Sequence, residues 1–355
     1  MYNMADKSYL SQPKFMSEAI QDAFAERLVK HAQKHKLDLV FIVLHGGEPL
    51  LFGKERLRRF TAHVSATLAR NGVDVSFGMQ SNGTLIDEEW VDLLADQQVT
   101  VGISLDGPEH YHNIFRVDHS GRGSFARVMQ GIHTLQNHRR GSDVFAGLLA
   151  VMNTSIPPKD FYRFIKRVNP PAVNVLFPHA NYAHPPAPMT VPYGEWLKEL
   201  FDLWYRDDIP EMRIDLFANA LRLIFGGAFG GEALGAEPIS LVVIETNGDI
   251  EPSDNLKPCG HNFTKTGLNV LRNNLDDALK IPLIDMACKT SGYLCSTCKR
   301  CELVSLCGGG QAVQRYSIKN GFDNPSIYCE DYKMILRHIL QQVRESIPAD
   351  LNIAF

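Results

Sequence analysis

The feature that most constrains this chain is a repeating β-α period across its first two thirds. Residues 37–44 (LDLVFIVL) read as a buried strand, and residues 54–70 follow as a helix rich in Arg, Ala and Leu. The same pairing recurs as a strand at 73–80 with a helix at 87–97, a strand at 100–104 with a helix at 123–138, and a strand at 143–152 with a helix at 157–168. A fifth strand at 172–177 is followed by a helix at 192–205. Buried strands alternating with helices predict a parallel sheet, wound or closed into a barrel. Functional residues are then expected at the C-terminal ends of the strands. Residues 206–224 are expected to be further helix, and the Gly-rich stretch 224–238 a boundary. Alternation around Asn247-Gly248 in 241–252 predicts a hairpin. A cysteine-rich segment follows, then a closing helix near 331–346.

A chain of 355 residues suits one large domain and one smaller one. The formal net charge of −4 gives no reason to expect a nucleic acid or an anionic membrane as partner. No apolar run reaches the length of a membrane span. The first twenty residues lack the basic and apolar segments of a secretion signal, so a cytoplasmic location is expected. All seven cysteines lie after residue 258, two CxxC steps among them, which favours metal ligation over disulfides.

Three short motifs close successive strands. HGGEPLL (45–51) has two glycines that let a ligand approach the backbone, and its Glu48 can face a cation. SNGTL (81–85) and SLDGP (104–108), the latter followed by Arg116, come next. Each alone is an ordinary turn signature, but chance does not readily put them in this order at successive strand ends. Further on, Cys298-x2-Cys301-x5-Cys307, three glycines and Cys329 supply four thiolates. That spacing makes a four-cysteine metal site and leaves zinc and iron–sulfur both open, with Cys295 as a substitute ligand.

In this order the motifs resemble the radical S-adenosylmethionine (SAM) superfamily, in the branch with a C-terminal SPASM or twitch domain. The resemblance covers nearly the whole chain. It implies an α/β fold: a partial (β/α)6 barrel lacking its first strand (residues 1–230), a cysteine-rich SPASM/twitch-like domain (231–335), and a terminal helix and tail (336–355). It implies that Gly46, Gly47 and Glu48 hold the methionyl amino group of SAM, and that Ser104 and Arg116 hold ribose and carboxylate. A guanidinium suits a carboxylate. It implies iron–sulfur over zinc, as one auxiliary [4Fe–4S] cluster on Cys298, Cys301, Cys307 and Cys329. Three further ligand positions of the family are absent, two of them falling on Ser253 and Gln311 and the third lying before Gly248, where there is no cysteine, so a second auxiliary cluster is not expected. Asp254 matches the general base of sulfatase-maturing relatives, though a solvated turn residue is the plainer alternative. His179 and His184 are given no role.

One departure is large. The family holds its catalytic [4Fe–4S] cluster on a Cys-x3-Cys-x2-Cys loop, and no cysteine precedes Cys259 here. Tyr2-Asn3-Met4-Ala5-Asp6 look like the segment after that loop, so a truncated start is expected, against the alternative of a degenerate non-radical relative. The runs 173–186, 242–257, 266–270, 307–316 and 321–329 resemble peptide maturases that make cyclophanes. The expected function is therefore maturation of a ribosomal precursor peptide by joining an aromatic ring to a Cβ. An electron donor such as flavodoxin or ferredoxin would serve it. The rivals are a sulfatase-type, formylglycine-generating maturase and a zinc-stapled barrel that only binds a peptide or metabolite.

Overall fold

The computed structural model describes residues 5–187, 191–207, 212–229, 231 and 233–346. Of the opening segment singled out above, Tyr2, Asn3 and Met4 lie outside these, as does the tail 347–355.

Six parallel strands form one sheet in the order of the chain: β1 (Leu39–Leu44), β2 (Asp74–Ser81), β3 (Val99–Ser104), β4 (Phe145–Val151), β5 (Ala172–Leu176) and β6 (Arg213–Ile214). Strand order that follows the chain, with every pair parallel, is the winding of a barrel wall, because right-handed crossovers then put the helices on one face. The helices are α1 (Glu18–His35), α2 (Lys54–Ala69), α3 (Glu88–Asp96), α4 (Glu109–Phe115), α5 (Phe125–Asn137), α6 (Gly141–Val144), α7 (Pro158–Val168), α8 (Tyr193–Tyr205) and α9 (Asp215–Ile224). Local chemistry sets their ends. Asp87 caps α3 by accepting from Trp90 N, and Asn169 ends α7 in the left-handed conformation. Trp90, Val91, Leu93 and Leu94 of α3 and Val99, Val101 and Ile103 of β3 are all buried in the core between helices and sheet.

The five expected strands are present. The stretch 206–224 departs from expectation: Arg213–Ile214 is a short strand, because its backbone finds Ala172 and Val173 of β5 to pair with. Strand β1 is an edge, and Leu39, Phe41 and Val43 are exposed on one of its faces.

The cysteine-rich lobe is built from loops and short helices. The expected hairpin forms from β7 (Val243–Ile244) and β8 (Ile250–Glu251), with Gly248 at φ 87° in the turn. A last helix, Cys329–Ser346, crosses the expected 335/336 boundary without a break and packs back on α8 and α9. Phe177, Tyr193, Tyr328 and Tyr332 interlock at that junction, with ring centroids 4.7–5.6 Å apart. Among the described residues no helix is long and apolar enough to cross a membrane.

Candidate functional site

The motif residues converge at the C-terminal end of the sheet. Strand β1 ends at Leu44 and delivers His45, Gly46, Gly47 and Glu48; β2 ends at Ser81, β3 at Ser104. Gly46 sits at φ 131°, where a side chain would strain the backbone, and a Cβ built on Gly46 or Gly47 meets nothing within 4 Å. The turn is therefore open to a ligand. Glu48 is fixed in place: Ser81 Oγ donates to its Oε1 at 2.8 Å, Asn82 N to its Oε2 at 2.8 Å, and Leu50 N to Oε1 at 3.1 Å. Two motifs read separately in the sequence thus share one carboxylate, whose remaining lone pairs can accept from an ammonium. These residues fit the amino end of SAM.

Ser104 accepts a hydrogen bond from Gln80 Nε2 at 3.0 Å, which places it beside β2 on the same rim. Arg116 is less free than its expected role requires. Its guanidinium forks onto Asp106, with Nη2 donating to Oδ1 at 2.9 Å and Nε to Oδ2. Asp106 Oδ1 also accepts from Val151 N at 3.0 Å. The arrangement links the β3, β4 and α4 ends, and a ligand carboxylate would share Arg116 with Asp106.

Asp254 opens the short helical turn Asp254–Cys259, which Ser253 caps. Its Oδ2 lies 3.5 Å from Nδ1 of His45, the residue that begins the GGEP turn. His179, just beyond β5, has its pKa pushed down, first by burial, and the charges of both Asp254 and His45 act on it. The motifs alone give His45 no role; its place at the end of β1 is the one signal in the sequence that points to it.

Cys298, Cys301, Cys307 and Cys329 line one cavity of about 260 Å³, with Lys333 and Arg337 at its rim. Burial pushes the Cys298 thiol up to about 12 and the Cys307 thiol up to about 11, so both need a metal or a cation to become thiolates. Gly308, Gly309 and Gly310 all have positive φ, and the amides of Gly309 and Gly310 turn toward the Cys307 sulfur. Arg315 is fully buried behind the cysteines. Among the described residues no carboxylate pairs with it, and its Nε meets no acceptor. Its Nη1 donates to Tyr293 O at 3.2 Å, but its buried charge has no carboxylate to face, and a tetrathiolate–metal centre would supply that counter-charge. The four cysteines therefore fit a metal or cluster. Cys295 stands directly behind, hydrogen-bonded to Cys298.

The place of the second auxiliary cluster is different. Ser253 and Gln311 come together there around a cavity of only about 10 Å³. Behind it Leu256, Cys259, Met286, Ala287 and Val313 form a small apolar core. Burial pushes the Cys259 thiol up to about 12, which makes it an inert core residue.

The family model of the radical SAM superfamily matches residues 14–164. The chain is 25% identical over 365 residues to the cysteine-type anaerobic sulfatase-maturating enzyme of Clostridium perfringens (strain 13 / Type A), spanning 99% of this chain and 92% of that protein. It is 25% identical to the serine-type anaerobic sulfatase-maturating enzyme of Bacteroides thetaiotaomicron, over 93% of this chain and 83% of that one. Among solved structures it is similar to native anSMEcpe with bound AdoMet and Cp18Cys peptide, at a TM-score of 0.82 and 22% identity over 97% of this chain and 94% of that chain. It also resembles Streptococcus suis SuiB bound to precursor peptide SuiA, at a TM-score of 0.56 and 17% identity over 87% and 69%. Sheet winding, motif placement and family match agree: residues 14–164 carry the radical SAM match, and the chain is similar to anaerobic sulfatase-maturating enzymes along nearly its whole length.

Proposed function

We propose that the protein oxidises a peptide or protein side chain at Cβ with SAM as cosubstrate, in the manner of the sulfatase-maturating enzymes, which would make formylglycine from a Cys or Ser. The observation that carries this reading is the 3.5 Å approach of Asp254 to His45. It sets a carboxylate from the C-terminal lobe against the turn expected to hold SAM. The curated relatives include sulfatase-maturating enzymes of both the cysteine and the serine type. They favour this outcome over the cyclophane expected from the sequence.

Removing one hydrogen atom from Cβ leaves an electron and a proton still to be taken from the substrate; Ser then gives the aldehyde directly, and Cys gives a thioaldehyde that water hydrolyses to the aldehyde with release of sulfide. Asp254 takes the proton, and the neighbouring imidazoles of His45 and His179 can pass it outward. Glu48 fixes the amino end of SAM, the closed β2 and β3 rim orients its remainder, and Ser104 and Arg116 are assigned to that end. A four-thiolate cluster on Cys298, Cys301, Cys307 and Cys329 supplies an electron acceptor when bound, and a flavodoxin- or ferredoxin-type donor supplies the reducing side. No cysteine precedes Cys259, so this chain has no residues that fit the three-cysteine catalytic cluster.

One observation favours the cyclophane as second reading: the inner-cluster position is filled by Ser253, Gln311 and apolar packing. The two are told apart on the product. The enzyme, given a Cys-x3-Cys-x2-Cys loop ahead of Met1, is incubated anaerobically with SAM, reductant and peptides carrying a sulfatase-type Cys or Ser, or an aromatic residue near an unactivated Cβ. A product captured by a carbonyl-reactive probe supports formylglycine. A cyclic product with no carbonyl supports the second reading, and neither product rejects both.

A further inference from the structure

We propose that His31, His35 and Asp276 form a binding site for a divalent transition-metal ion, which staples α1 to the cysteine-rich lobe. The site shares no residue with the four-cysteine cavity or the GGEP turn and takes no part in the chemistry assigned above.

The two histidines are one turn apart on α1, with ring centroids 4.4 Å apart. That spacing puts both imidazoles on one face of the helix. Both reach the same carboxylate: His31 Nδ1 is 2.7 Å and His35 Nε2 2.8 Å from Asp276 Oδ1. The three donor atoms all lie within 4.8 Å of one another. Two imidazoles and a carboxylate with an open fourth position are the donor set of zinc, cobalt or nickel, and they suit calcium or magnesium poorly.

The ligands are held before any ion arrives. Asp276 belongs to a short helical turn, Leu275–Ala278, closed by a reciprocal capping box between Asn274 and Asp277. From α1, Arg27 donates to Asn274 Oδ1 at 2.9 Å and to Val270 O at 3.1 Å, fixing that turn against the helix. Lys34 binds the other carboxylate oxygen, Asp276 Oδ2, at 2.7 Å and leaves Oδ1 to the metal. The Lys34 side chain is 64% exposed, so its charge can stay in water when a cation binds. In the structure each imidazole uses its inward nitrogen toward Asp276. Metal binding needs that nitrogen as a lone pair, so in each neutral ring the proton moves to the outward nitrogen.

The site bears on the cysteines in one respect. Zinc found in the purified protein can reside here and need not mean that the four-cysteine site holds zinc.

The experiment titrates cobalt(II) into the purified full chain with its cysteine site loaded, read by absorption spectroscopy and by thermal unfolding. One equivalent should bind with weak ligand-field bands and no thiolate charge-transfer band, and the melting temperature should rise. His35→Ala and Asp276→Asn should each weaken binding by more than the roughly 10–100-fold that loss of a mere supporting residue costs. His31→Gln keeps a polar side chain at this partly buried position and should lose the melting shift while retaining the helical signal. Binding unchanged in these variants, a thiolate band, or no cobalt-dependent melting shift would each overturn the site.

Discussion

Glu48 shows how much a single residue can carry. Its carboxylate is held by Ser81, Asn82 and Leu50 before any ligand is present, so binding SAM costs little reordering there. Glu48→Gln keeps the shape and removes the charge. A hydrogen bond to a charged group contributes about 1.5–3 kcal/mol, so calorimetric SAM affinity should fall by roughly 10–100-fold. Asp254→Asn should act later. Hydrogen abstraction should survive, while product should fall by about 100–10,000-fold, the usual effect of losing a general base. Full product from the Asn variant would return Asp254 to the status of a turn residue. The cysteines divide in the same way. Cys301→Ala should empty the cluster site, and Cys259→Ala should leave iron content unchanged, because Cys259 sits in an apolar core away from that cavity. Iron analysis after anaerobic reconstitution reads both. Glu48 was legible because GGEP is a local pattern. His45, His179 and Arg315 were not, because their roles come from partners distant in sequence: Asp254 for the two histidines, and the cysteine cluster for Arg315.

Among elements, the last helix has the largest consequence. It begins at Cys329, one of the four proposed ligands, and one turn later buries Tyr332 against Phe177 of the barrel, so the four-cysteine cavity and barrel wall share a single rod. Tyr332→Ala should cost about 3–5 kcal/mol, as large aromatic deletions do, and should speed loss of iron in air. Urea unfolding and absorption in air measure the two effects. Strands β1–β5 were legible to within two residues because their apolar runs are bounded by turn residues at both ends. Helix α1 went unread: its apolar positions are diluted by charge along Glu18–His35, and it packs on α2 and, through Arg27 and His31, on the lobe. Strand β6 was hidden because two residues carry no period, and only pairing with β5 makes them a strand.

At the scale of the whole molecule, the barrel mouth receives groups from both lobes, and the account stands on their acting together. In the proposed reaction this mouth opens a Cβ–H bond of a peptide by SAM chemistry. The direct measurement uses a peptide deuterated at Cβ and follows the label into 5′-deoxyadenosine by mass spectrometry. The chain alone, having no cysteine before Cys259, should yield no 5′-deoxyadenosine above background. With a Cys-x3-Cys-x2-Cys loop ahead of Met1, deuterium should appear in 5′-deoxyadenosine, in Asp254→Asn as in the parent. Turnover by the chain alone, or 5′-deoxyadenosine that never carries the peptide's deuterium, would contradict the account.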